Sequence, residues 1–138
     1  MPWTSRSAKL RRVVHRTTSV RCLIVDDSAN FRDAASRMLE LAGIAVVGVA
    51  TTAAEALTRY RELRPDVTLV DVDLGADSGF ELAHTLHTAD SPAPSVILIS
   101  THSEHDFADM IADSPALGFL PRFALSPVAV RELVGGRA

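Results

Sequence analysis

From Val20 onward the chain alternates between two hydrophobic periods. Val20 to Val25, Ala45 to Ala50, Val67 to Val70, Ser95 to Ile99 and Leu117 to Leu120 are short, nearly unbroken apolar runs rich in Val, Ile and Leu. Such runs predict strands buried on both faces. Between them Phe31, Ala34, Ala35, Met38, Leu39 and Ala42 recur at helical spacing, as do Ala53, Ala56, Leu57, Tyr60 and Leu63. Leu82, Ala83 and Leu86 predict a third helix, Phe107, Met110 and Ile111 a fourth, and Val130, Leu133 and Val134 a fifth.

Polar punctuation agrees with these periods. Thr52 with Glu55, and Ser78 with Glu81, have the three-residue offset of a capping box, which marks helix starts. Ser126 before Pro127 suits an N-cap with proline in the first turn, while Gly43 and Pro65 fall where the first two helices should stop. Five strands alternating with five helices imply right-handed crossovers and a parallel sheet covered on both faces. The expected class is therefore a doubly wound α/β domain, whose ligand site lies beyond the carboxyl ends of the strands where strand order reverses.

At 138 residues, 47% of them hydrophobic, the chain can bury one core and is short for two domains. No apolar run approaches the roughly 20 residues that span a bilayer, and the first residues lack a secretory signal's apolar stretch, so a cytoplasmic location is expected. The single cysteine, Cys22, lies in a strand-like run and reads as a buried thiol. The net charge is −3, yet Arg6, Lys9, Arg11, Arg12 and Arg16 precede Val20 with no acid among them. Residues 1–19 therefore read as a basic extension without stable structure, and residues 20–138 as the domain.

Three acids fall at expected strand ends, Asp26 and Asp27 after the first and Asp71 after the third. Clustered carboxylates raise one another's pKa unless a cation intervenes, and hard oxygen donors beside a phosphate-sized space suit magnesium. Ser100 adds a hydroxyl after the fourth strand and Arg122 a permanent cation after the fifth. Phosphoryl transfer requires positioning and charge neutralisation of this kind.

Leu23 to Ser28, Pro65 to Leu74 with Gly79 to Leu82, Val96 to Ser100, and Gly118 to Arg122 together resemble the successive signatures of bacterial response-regulator receiver domains. The resemblance covers about Val20 to Val134. It implies a flavodoxin-like fold with strand order 2-1-3-4-5, and a signalling protein rather than an enzyme. It further implies that Asp71 accepts a phosphoryl group from a histidine kinase or phosphotransfer protein. Asp26 and Asp27 would organise magnesium together with Asp71 and the backbone carbonyl of Asp73. Ser100 would be the switch hydroxyl and Phe119 the switch aromatic, signalling to a protein partner at the face of the fourth helix, fifth strand and fifth helix. A homodimer is compatible with the family, while contact of the core domain with nucleic acid or membrane is not expected. With the sequence ending soon after Val134, a stand-alone form without output domain is the expectation.

The chain departs from the family pattern at three positions: Arg122 stands for an almost obligatory lysine, Phe123 for the proline that follows it, and Gly75 for a frequent proline after the phosphoacceptor. Arg122 therefore favours one alternative, a pseudo-receiver that binds partners without phosphorylation. A haloacid-type phosphohydrolase is a second alternative, but it wants its Asp-x-Asp after the first strand, whereas Asp71-Val72-Asp73 follows the third. His84 with His87 and His102 with His105 have metal-compatible spacing without the acids or cysteines of a zinc site, and the first pair reads as solvent-facing. His102 is expected to overhang the pocket, where it could affect water access.

Overall fold

A computed structural model of the chain describes residues 20–89 and 94–135. The proposed basic extension 1–19 lies outside the described residues. Five strands form one sheet: β1 (Arg21–Val25), β2 (Ala45–Ala50), β3 (Val67–Asp71), β4 (Val96–Ser100) and β5 (Gly118–Pro121). Their spatial order is β2-β1-β3-β4-β5 and every neighbouring pair is parallel. Five α-helices connect and follow them: α1 (Ala29–Leu41), α2 (Ala53–Leu63), α3 (Gly79–Ala89), α4 (Ala108–Ala112) and α5 (Pro127–Gly135).

Side chains alternate across the central strands and so feed two cores. Leu23, Val25, Val70 and Leu98 pack toward Ala56 and Tyr60 of α2 and Phe80, Ala83 and Leu86 of α3. Cys22, Ile24, Leu69, Ile97 and Ile99 face the other way, toward Ala35 and Leu39 of α1 and Val130 of α5. β1, β3 and β4 are almost wholly buried, as their unbroken apolar runs require. The edge strand β2 departs from the expectation of two buried faces, because its outer side has no strand neighbour among the described residues and only Ala50 of the strand is fully buried.

Local chemistry explains the helix boundaries. Ser28 caps α1 by accepting from the Phe31 amide at 3.2 Å, and Gly43 takes a left-handed φ of 88° just beyond the helix. Thr52 caps α2 through the Glu55 amide, but Glu55 returns its bond to the amide of Thr51 at 2.7 Å, one residue before the expected partner. Arg64 ends α2 in a left-handed conformation, φ 47°, ahead of Pro65. Ser126 Oγ accepts from Ala129 N at 3.0 Å at the start of α5.

The fourth helix covers Met110 and Ile111 as their spacing predicts, and it is short. A 3-10 turn over Glu104–Phe107 precedes a five-residue α4, and neither contains a fully buried residue. Ser103 and Asp106 bond reciprocally at the entrance, so local side chain to backbone contacts compete with a longer α-helix.

Candidate functional site

The sheet reverses direction of growth at β1, whose neighbours are β2 and β3. Register pairs Val25 with Val70, so the residues that follow, Asp26 and Asp71, emerge side by side from two buried strands. Asp27 continues into the loop and is exposed, whereas Asp26 is 0% and Asp71 5% exposed. Carboxylate oxygens of all three acids lie within 4.8 Å of one another.

The two buried acids are each held by their own loop. Asp26 accepts from Ser28 N at 2.8 Å, which turns the chain into α1, and Asp71 accepts from Asp73 N at 3.3 Å. Asp73 and Leu74 pair with Asp77 and Ser78 in a two-residue antiparallel ladder after β3. Gly75 turns that ladder with φ 76°, a conformation available to glycine where the proline frequent in the family could not stand. Asp77 then accepts from Ala53 N at 3.0 Å, tying the ladder to the start of α2.

Arg122 reaches the acids from the 3-10 turn after β5, Arg122–Ala124. Its Nη2 donates to Asp26 Oδ2 at 2.7 Å and to Asp71 Oδ2 at 3.2 Å. The guanidinium carbon stands 4.3 Å from the centre of the Phe31 ring, a cation–π contact from α1. Nε of the same group is buried and finds no acceptor among the described residues. Phe31 was legible only as one position in the apolar stripe of α1, because stacking across 91 residues of sequence leaves no local signal.

Burial pushes the Asp71 carboxyl up from 3.8 to about 6. The Asp73 amide and the Arg122 charge pull the other way, while the charges of Asp26 and Asp27 add to the rise. Cys22, by contrast, is pushed to about 12 by burial and is an inert core thiol.

Ser100 ends β4 at the same edge of the sheet and is 1% exposed. Its Oγ accepts from His102 N at 2.9 Å rather than meeting the acids. Phe119 is buried one strand away, with Phe107 between it and the loop: ring centres are 6.4 Å apart for Phe107 and Phe119 and 5.8 Å for Phe107 and His102. Phe80 completes the cluster at 5.6 Å from Phe107. His102 and Phe107 help line a cleft of about 270 Å³ that also takes in Asp73 and Asp77. Asp26, Asp27, Asp71 and Arg122 are thus brought together and Asp73 bonds Asp71, whereas Ser100 and Phe119 make their contacts with His102 and Phe107. His84, His87, His102 and His105 are all exposed.

Comparison with known proteins agrees with this geometry. The model of the response regulator receiver domain family matches residues 22–126. The chain is 33% identical over 106 residues to the response regulator GacA of Pseudomonas viridiflava, covering 76% of this chain and 49% of that protein. It is 39% identical over 90 residues to protein-glutamate methylesterase/protein-glutamine glutaminase 2 of Koribacter versatilis, covering 64% of this chain and 24% of that one. The chain therefore spans about half the length of the GacA relatives and about a quarter of this methylesterase. Among solved structures, the signal receiver domain of NarL from Mycobacterium tuberculosis aligns with a TM-score of 0.77 and 31% identity, covering 86% of this chain and 98% of that chain. A LuxR-family response regulator from Aurantimonas follows with a TM-score of 0.76 and 28% identity over 86% of both chains. With the strand order, the acids at the switch point and the family match in agreement, this chain belongs to the response regulator receiver domains of two-component signalling.

Proposed function

We propose that the domain is an aspartyl-phosphate switch with Asp71 as its acceptor. The observation that carries this reading is a buried aspartate at the sheet's switch point, its carboxylate grouped with those of Asp26 and Asp27. A carboxylate oxygen of Asp71 attacks the phosphorus of a phosphohistidine on a histidine kinase or phosphotransfer protein in the cytoplasm. An O–P bond forms as the N–P bond breaks, and the departing imidazole takes a proton from solvent.

Three hard oxygen donors within 4.8 Å of one another fit magnesium. Asp26, Asp27 and Asp71 would hold it with the backbone carbonyl of Asp73. When bound, its charge offsets those of the acids and of the phosphoryl oxygens. The protein's own groups supply the remainder. Arg122 donates to phosphoryl oxygens from a side chain already placed against Asp71. Ser100, whose Oγ now accepts from the His102 amide, turns its hydroxyl hydrogen toward the phosphoryl group. Withdrawing Ser100 from the 102 amide loosens the loop that carries Phe107, against which Phe119 packs. The change is read at α4, β5 and α5, where Met110 of α4, Val128 of α5 and Phe123 of the turn after β5 are exposed apolar side chains suited to a protein partner.

A second reading, a pseudo-receiver that works without phosphorylation, is favoured by one observation: Arg122 already pairs with both buried carboxylates. Intact mass after incubation with a small acyl phosphate and magnesium separates the two. A gain of one phosphoryl group in the native chain and none in Asp71→Asn supports the switch. No gain in the native chain favours the pseudo-receiver.

A further inference from the structure

We propose that Phe31 and Arg122 form a clamp that occupies the acidic pocket and makes divalent-cation binding a competition with the protein's own guanidinium. This rests on reading Asp26, Asp27 and Asp71 as the cation site. Nη2 of Arg122 bonds the Oδ2 atoms of two of those three acids, at 2.7 and 3.2 Å. A hard cation drawing on the same carboxylate oxygens meets a like charge at contact distance, so its entry costs the guanidinium these two bonds while leaving it beside the acids, free to meet phosphoryl oxygens.

Phe31 makes the guanidinium hard to dislodge. The ring lies 4.3 Å from the guanidinium carbon, so one planar group is stacked on α1 while its edge bonds the strand ends. The buried Nε without an acceptor shows what holds Arg122 in place: the two carboxylates and the ring rather than a full set of hydrogen bonds. Phe31 is a positioning residue in this scheme, acting through Arg122.

Magnesium affinity of the full chain tests the clamp, measured by calorimetry for the native protein and for Phe31→Ala, Phe31→Leu, Arg122→Gln and Arg32→Gln. Arg32 is the control for charge alone, since its Nη1 bonds the main-chain oxygen of Asp26 at 2.7 Å and not a carboxylate. Phe31→Ala leaves every charge in place and should tighten magnesium about 3- to 10-fold, the range that loss of one partly desolvated cation–π contact allows. Arg122→Gln should tighten it about tenfold or more, and Arg32→Gln should have little effect. In the native chain the Arg122 side-chain Nε–H resonance should move as magnesium is added. Equal affinities in the native, Phe31 and Arg122 variants overturn the clamp while leaving the cation site intact. Equal tightening by Arg122→Gln and Arg32→Gln, with none from either Phe31 variant, overturns it in favour of simple charge. Absence of magnesium binding in every variant overturns the cation site itself, and the competition with it.

Discussion

A Cβ on Gly79 would stand 2.1 Å from the main-chain oxygen of Asp71. The amide of Gly79 also donates to Val72 O at 2.9 Å, so the first residue of α3 is pressed directly against the end of β3. The end of β3 that carries Asp71 thus lies against a contact that only glycine permits.

Gly79→Ala should therefore destabilise the domain by ~1–3 kcal/mol or more, because the clash is with backbone and no side chain can rotate away. Gly135→Ala, where an added Cβ meets nothing within 4 Å, is the matched control. Denaturant unfolding of the two variants should separate them clearly, and equal midpoints would show that the loop after β3 absorbs the strain.

The Asp71 carboxyl supplies a pH dependence in metal-free protein. Its folded value, raised to about 6 from 3.8, means that folding favours the neutral acid. The associated stability is fully present below pH 3.8 and is lost as pH rises through about 6. At pH 7 to 8 in chelator, Asp71→Asn should thus be more stable than native by ~1–3 kcal/mol, given 1.36 kcal/mol for each pH unit. Below pH 4 the advantage should vanish. A constant difference between the two proteins from pH 4 to 8 would place its origin elsewhere than in the Asp71 charge.

The contrast between sheet and site shows what was legible beforehand. Cys22 to Val25, Val67 to Val70 and Val96 to Ile99 announce central parallel strands because burial on both faces leaves no polar alternation, and the acids that follow them stand out for the same reason. β2 was misjudged as doubly buried since a glycine and valine run looks alike at an edge and in the centre. The fourth helix falls where Phe107, Met110 and Ile111 place it, while the 3-10 turn ahead of it, with the bonds that Ser103 and Asp106 make to the backbone, is decided only by local geometry. That Arg122 would bridge Asp26 and Asp71, 96 and 51 residues away, could not be read from spacing at all.

Magnesium should stabilise the native chain by mass action. At tenfold excess over its dissociation constant the gain is ~1.4 kcal/mol. Asp27→Ala removes the exposed acid of the trio without leaving a buried charge unpaired, so the variant should fold and lose most of the response. A melting temperature of the native protein that is flat across a magnesium titration would count against the acidic pocket as a cation site.

Uptake and transmission of phosphate should separate at Ser100. Ser100→Ala keeps the acceptor and its acids, and it removes the oxygen that accepts the His102 amide. It should still gain phosphoryl mass with a small donor, yet show much less change in amide exchange over Glu104 to Ala112 and β5 than the native chain. Identical exchange changes in both proteins would remove Ser100 from the switch.

Arg122 offers the sharpest test, because charge and shape can be varied independently. As an arginine it carries a fixed charge, bonds both buried carboxylates through one nitrogen and stacks on Phe31. Charge-assisted bonds from such a group to phosphoryl oxygens stabilise developing negative charge, so Arg122→Ala should slow phosphorylation of Asp71 by roughly 10- to 1,000-fold. Arg122→Lys keeps the charge and gives up the planar fork and most of the stacking surface. It should match or exceed the native rate, since a compact ammonium leaves more room around Asp71. Rates measured with one small acyl phosphate avoid any dependence on the kinase. Native inactivity relieved by Arg122→Lys would identify Arg122 as the feature that makes this chain a pseudo-receiver. An Arg122→Ala rate equal to native would mean that the pair seen with Asp71 takes no part in the reaction.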